Sequence, residues 1–152
     1  MSVSTAPRAL HQAGPHGCRP RLSDELCAEH NQLAQQLELL DSVADEVDSV
    51  PLDTLRKDVD RAYGLVTQRV LPHTRAEHAL RTRLAAHDHR RVGAEEAHGE
   101  IRRLARVLAG LRSQLGKKED VARAPRQIRH VLYELHALTR LHFADELMDR
   151  GS

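Results

Sequence analysis

The chain has almost no aromatic side chains. Its 152 residues include no tryptophan, one phenylalanine and two tyrosines. Aromatic and β-branched residues are the ones that fit a pleated sheet, whereas the Leu, Ala, Arg and Glu common in this chain favour helix. The shortage argues against a β-sheet core and predicts an all-α fold with an aliphatic interior.

Charge of one sign is also missing. Lys and Arg total 23, Asp and Glu total 22, and the formal net charge at pH 7 is +1. Proteins that bind nucleic acid or an acidic membrane surface normally carry an excess of basic residues. We therefore predict that this chain binds neither nucleic acid nor a membrane.

Cysteines and long apolar runs are scarce. Cys18 and Cys27 are the two cysteines, and there is no second pair to complete a structural zinc site. No apolar run approaches the ~20 residues that a membrane span requires. The N-terminus lacks the ~7–15-residue apolar stretch of a secretion signal. These absences predict a cytoplasmic protein with both thiols reduced.

The remaining sequence divides into an arm and a periodic region. Residues 1–20 contain prolines and glycines without hydrophobic periodicity, which predicts a flexible N-terminal arm. In residues 21–152, apolar residues recur at alternating spacings of three and four, the pattern of a helix with one buried face. Four such helices are predicted, beginning near Ser23, Pro51, Ala94 and Pro125. Their short connections predict an antiparallel up-down four-helix bundle.

Two sequence features mark interruptions in this pattern. Pro72 lies inside the second predicted helix and lacks a backbone N–H, so we expect a kink or a widened turn just before it. The segment from His87 to Gly93 predicts the connection between the second and third helices, and Gly116 predicts the end of the third.

Histidine is unusually frequent, with eleven in the chain. Each predicted helix carries one on its apolar stripe, and two of these are followed one turn later by a glutamate, which an i,i+4 spacing places on the same helix face. Antiparallel packing would bring all of them to one end of the bundle. Imidazole and carboxylate together suit iron, manganese or zinc and not calcium. The predicted metal ligands are His30, His73, Glu77, His98, His142 and Glu146.

An alternative explanation of these residues requires no metal. Any one of these histidines could be an ordinary interface residue, with Glu77 and Glu146 facing solvent. The set of six argues against it, because two glutamates buried without a cation would each cost several kcal/mol. A bound metal removes that cost.

The motifs around these residues resemble a known family. The segments LPHTRAE, ending at Glu77, and LTRLHFADE, ending at Glu146, resemble the second- and fourth-helix signatures of hemerythrin-like, HHE-type cation-binding domains. The segment from Glu96 to Ile101 resembles the third-helix motif, and Glu29-His30 resembles the first. The resemblance covers roughly residues 22–149.

The resemblance implies a non-haem di-iron centre bridged by carboxylates and by an oxo or hydroxo group. His30 and His73 would bind one iron and His98 and His142 the other, with Glu77 and Glu146 bridging. The expected partners are small diatomic or peroxide ligands and an electron donor, and no catalytic residue is expected apart from the metal site.

The chain departs from the oxygen-carrying hemerythrins at Arg102, where they have a second histidine in the third helix. Fewer imidazoles favour the ferric state and therefore redox reactions with small oxidants over carriage of intact dioxygen. Glu95, Tyr63 and Tyr133 are candidates for a further ligand, although an exposed glutamate and packed tyrosines are the alternatives. His78 lies about 140° round the helix from His73 and is not expected to bind metal.

Four functions stay open at this point. The leading one is a di-iron protein that reacts with hydrogen peroxide, dioxygen or nitric oxide, with catalase-like peroxide decomposition as its most concrete form. The second is a non-catalytic sensor of oxygen or nitric oxide, or an iron store. The others are a zinc-filled bundle and a metal-free helical interaction protein.

Overall fold

The computed structural model describes residues 24–84, 91–117 and 123–148, and these ranges contain helices and no strand. The helical elements are α1 (Asp24–Gln36), α2 (Glu38–Glu46), α3 (Leu52–Leu65), a π-helical segment (Val66–Val70), α4 (Leu71–Leu84), α5 (Arg91–Gln114) and α6 (Ala124–Met148). The predicted arm with Cys18, the Ser23 helix start and the histidines at 87 and 89 lie outside the described residues.

The first predicted helix is divided into α1 and α2. Leu37, between them, keeps helical dihedral angles of φ −61° and ψ −24°. Its N–H donates to the carbonyl oxygen of Leu33 at 2.9 Å. The interruption is therefore one residue long. The described residues of the predicted stripe on both sides of it are buried: His30, Leu33, Leu40, Ala44 and Val47.

The second predicted helix is widened just before Pro72, as expected. The N–H of Leu71 donates to the carbonyl oxygen of Val66, five residues earlier, which defines a π-type turn. The hydroxyl of Thr67 donates to the carbonyl oxygen of Tyr63 at 2.8 Å in the same turn. Pro72 cannot complete the regular hydrogen-bond ladder, and the wider turn accommodates this defect.

Gly93 was predicted to lie in the connection before the third helix, and this was wrong, because α5 begins at Arg91, three residues before the predicted start near Ala94, and includes Gly93. A methyl group at Gly93 would meet nothing within 4 Å, so this glycine sits in open space. Glycine in a helix costs only about 1 kcal/mol relative to alanine, and the rest of the helix outweighs that cost. The end near Gly116 is confirmed, since α5 ends at Gln114.

Two pairs of neighbouring helices run in opposite directions. Glu38, at the start of α2, pairs with Arg140 of α6 at 2.6 Å, and Asp48, just beyond α2, pairs with Arg129 at 2.6 Å. As α2 advances, its partners on α6 therefore move backwards. The same order holds between α3 and α5, where Arg56 donates to the Leu115 carbonyl oxygen and Asp60 pairs with Arg112.

The buried interior has an aliphatic part and a polar part. Leucine, valine, isoleucine and alanine make up most of the hydrophobic core. The polar part contains the four stripe histidines and both glutamates that follow them. Among the residues that the structure describes, no helix has the length and apolar character needed to cross a membrane.

Candidate metal centre

The structure places all six predicted ligand residues in one buried cluster. They come from four helices: α1, α4, α5 and α6. Their exposed fractions are 2% for His30, 1% for His73, 0% for Glu77, 3% for His98, and 4% for His142 and Glu146.

Glu77 lies between two pairs of histidines. Its Oε1 is 2.5 Å from Nε2 of His30 and 2.9 Å from Nε2 of His73. Its Oε2 is 3.1 Å from Nε2 of His142 and 3.5 Å from Nε2 of His98. Each carboxylate oxygen therefore faces one histidine pair.

The cluster contains two triads that share Glu77. The ligand atoms of His30, His73 and Glu77 lie within 4.8 Å of one another, and those of Glu77, His98 and His142 do the same. In the second triad, the Nε2 atoms of the two histidines are 2.9 Å apart. Each triad could hold a metal ion, because imidazole nitrogens and a carboxylate oxygen converge on one point.

Glu146 also reaches both halves of the cluster. Its Oε2 is 3.1 Å from Nε2 of His30, and its Oε1 is 3.7 Å from Nε2 of His142. It lies one turn after His142 on α6. Two carboxylates thus lie among the four imidazoles.

The charges of the cluster depend on one another. Burial alone would raise the pKa of Glu77, but hydrogen bonds from His142 and the other three histidines hold that pKa far below its ordinary value. Burial would lower the pKa of His30, but hydrogen bonds to Glu146 and Glu77 raise it to about 9. The pKa of His73 is also raised, since its bond to Glu77 outweighs burial. Protons on imidazoles thus supply the positive charge that buried carboxylates require.

Two charged residues that sequence reasoning missed contact the cluster from outside. Oε2 of Glu29 is 3.1 Å from Nδ1 of His73, the ring nitrogen that faces away from Glu77. Arg81 donates through Nη2 to Oε1 of Glu146. Spacing contained a signal for Arg81, which follows Glu77 by four residues on the same helix face. Glu29 was noted as part of a motif, but pairing across helices cannot be read from spacing.

Phe143 packs against three of the four cluster histidines. Its ring centroid is 4.7 Å from that of His30 and 5.5 Å from that of His73. The side chain is 4% exposed. The ring of His142 is 5.9 Å away, so the single phenylalanine of the chain lies closest to the His30–His73 half and also borders His142.

The other sequence candidates lie elsewhere. Glu95 is exposed, and so is His78, which was expected not to bind metal. Tyr133 donates to Asp45, and Arg112 stacks over the ring of Tyr63 at 5.0 Å. None of the four candidates (Glu95, His78, Tyr63 and Tyr133) forms a described contact with the six cluster residues.

Comparison of the chain with family models, with curated proteins and with solved structures found no match. Function must therefore be inferred from the geometry of the cluster.

Proposed function

We propose that this chain is a hemerythrin-like, non-haem di-iron protein that reacts with small oxidants such as hydrogen peroxide, dioxygen and nitric oxide. The observation that carries the proposal is the position of Glu77, whose two oxygens each face a different histidine pair. A single metal site would need one such pair, whereas a shared carboxylate between two pairs suits two ions.

The opposite directions of α2 and α6, and of α3 and α5, support an antiparallel up-down bundle as the frame. In such a bundle, all four helices can contribute side chains to one shared site at the same end of the interior. Metal sites of this kind are built from facing helices in the core of a bundle.

The residues of the cluster would divide the binding between them. His30 and His73 would hold one ion and His98 and His142 the other, with Glu77 and Glu146 shared. Glu29 would fix the orientation of His73, and Arg81 that of Glu146, as hydrogen-bonded partners of metal ligands commonly do. Phe143 and the aliphatic core would exclude water from the His30–His73 half.

Iron would supply the electron exchange that reaction with peroxide, dioxygen or nitric oxide requires. Arg102, which stands where the oxygen-carrying hemerythrins have a further histidine, is exposed. The His98–His142 half thus has one imidazole fewer than those proteins, which leaves room for a small exogenous ligand. The activity we propose first is decomposition of peroxide in the cytoplasm. The peroxide is either decomposed in a catalase-like reaction or reduced with electrons from an electron donor.

A non-catalytic sensor or iron store is the second candidate. The observation that favours it is the low exposure of the cluster, in which no ligand residue exceeds 4%. Such burial suits retention of a bound ion or diatomic molecule more than rapid exchange of substrate and product. Peroxide consumption by the purified iron-loaded protein separates the two candidates.

The first experiment is elemental analysis of the protein after anaerobic reconstitution with ferrous iron. We expect close to two irons per chain in the natural protein and a marked loss in the His142→Ala variant. His78→Ala is the control, because His78 is exposed and lies one residue after Glu77. Absence of iron from the natural protein would overturn the proposal, and zinc in its place would indicate a redox-silent bundle.

A further inference from the structure

A cavity of about 660 Å³ lies beside the His98–His142 half of the cluster. Its wall includes His142 and Glu146, which are two of the buried cluster residues. The remainder of the wall comes from α4, α5 and α6, including Arg81, Ala94, Ala97 and Leu138. The cavity therefore extends from exposed residues to His142 and Glu146, which are two of the proposed ligands.

The two halves of the cluster differ in this respect. The Phe143 ring lies closest to the His30–His73 half, at centroid distances of 4.7 Å and 5.5 Å, and is 5.9 Å from the His142 ring. Neither histidine of that half lines the cavity, whereas His142 does. An ion arriving from outside would therefore meet the His98–His142 half first.

The charges along the cavity favour a cation. Glu96 and Asp145 are exposed at its edge, and neither has an ion pair in the part of the chain that the structure describes. Glu100 and Arg81 also line it, but they are paired with Arg103 and Glu146 respectively. Among the described residues, these two carboxylates thus have no paired cation, and a recess lined by one sign of charge concentrates ions of the opposite sign.

We propose that this cavity is the entrance through which a divalent metal ion reaches the cluster. The inference rests on the proposed function to the extent that the cluster binds metal. Glu96 and Asp145 attract the ion, and His142 and Glu146 are the first ligands that it meets. Arg81 holds Glu146 in the metal-free protein, so the ion must share or replace that contact.

The first test narrows the cavity without changing a ligand. The rate of Co²⁺ uptake by the metal-free full chain is followed by stopped-flow absorbance for the Ala97→Phe variant. Ala97 is half-buried and lines the cavity. The matched control is Ala109→Phe, also half-buried and on α5, which lines two other cavities. We expect roughly tenfold slower uptake in Ala97→Phe, unchanged uptake in the control and equal final stoichiometry, since a blocked path changes rate and not the site.

The second test changes the charge at the edge. Glu96→Gln is compared with Glu95→Gln, because Glu95 is its exposed neighbour and is not part of the cavity wall. We expect uptake about threefold slower in Glu96→Gln at low ionic strength, and a difference that disappears in 1 M salt, where the Debye length is only about 3 Å.

The outcomes separate this inference from the proposed function. Equal uptake rates for Ala97→Phe and Ala109→Phe, with metal bound by both, would overturn the entrance and leave the metal site standing. No metal in the natural protein would overturn both. If Ala97→Phe does not fold by circular dichroism, Ala94→Phe narrows the same cavity and is judged by the same comparison.

Discussion

The aliphatic and the polar parts of the interior are buried to the same degree but at different cost. Leu37, Leu108 and Leu132 are fully buried and gain free energy by leaving water. His73 and Glu77 are just as inaccessible, yet each charge there needs a compensating partner. The first part therefore stabilises the fold unconditionally, whereas the second part requires positive charge, which imidazole protons or a bound cation could supply.

The largest effect should come from the aliphatic part. Leu132→Ala removes a fully buried side chain and leaves a cavity, so we expect the free energy of unfolding to fall by about 2–5 kcal/mol. The loss should be the same with and without metal, as measured by urea denaturation. Leu141→Ala, on the same helix and 59% exposed, is the control and should change stability by less than about 0.5 kcal/mol. A loss seen only in the metal-loaded protein would contradict the division into two parts.

The effect of a change in the polar part should depend on metal. Glu77→Gln removes the carboxylate that both histidine pairs face, and we expect at least ~100-fold weaker metal binding, or about 2.7 kcal/mol. The metal-free variant should also lose stability, because the protonated imidazoles lose the buried carboxylate with which they pair. Isothermal titration with Co²⁺ and thermal unfolding measure the two quantities.

The matched control for that change is Glu46→Gln, since Glu46 is exposed on α2. It should alter neither metal affinity nor stability. Metal-free Glu77→Gln that is as stable as the natural protein would show that this carboxylate does not pair with the imidazoles in the absence of metal.

The sequence contained most of the information about which residues are buried. Spacings of three and four predicted the stripe that includes His30 and Leu33, because helix periodicity is a local property. The widened turn before Pro72 followed from its missing N–H. The prediction from Gly93 failed, because a glycine near a helix start can lie inside the helix as readily as it can precede it.

Contacts between helices were less accessible to sequence analysis. The stripes placed six ligand-type residues on inner faces, and the structure brings them together, but their distances depend on helix register. Glu29 and Phe143 contact histidines on other helices, and no local spacing encodes such pairs. The shell of residues around the cluster therefore had to be read from the structure.

The pH dependence should separate the metal-free from the metal-loaded state. His30, which faces Glu77, Glu146 and His73, has its pKa raised from 6.5 to about 9. Its contribution to the stability of the metal-free protein is therefore complete below pH 6.5 and lost as the pH rises through 9. The lowered pKa of Glu77 gives a contribution that is present above pH 4.5 and lost on acidification. Both contributions are complete between pH 4.5 and pH 6.5, so we expect the metal-free protein to be most stable in that range.

Metal affinity should follow the other direction. An imidazole must lose its proton to bind metal, so the apparent affinity for Co²⁺ should rise about tenfold per pH unit for each proton released, until the pH reaches about 9. The number of protons released can be measured directly by adding Co²⁺ to the metal-free protein in weak buffer. An affinity that is flat between pH 6.5 and 9 would mean that His30 is already neutral before the metal binds.

The smallest effect should come from Glu29, which touches the polar part from outside. Its carboxylate accepts a hydrogen bond from Nδ1 of His73 at 3.1 Å and thereby directs Nε2 towards Glu77. In Glu29→Gln the weaker acceptor should lower the affinity of one of the two metal-binding steps by about tenfold. The second step should stay unchanged, because His98 and His142 have no contact with Glu29. Glu38→Gln, which removes a surface partner of Arg140, should alter neither step. Equal weakening of both steps would show that Glu29 supports the whole cluster and not the His30–His73 half alone.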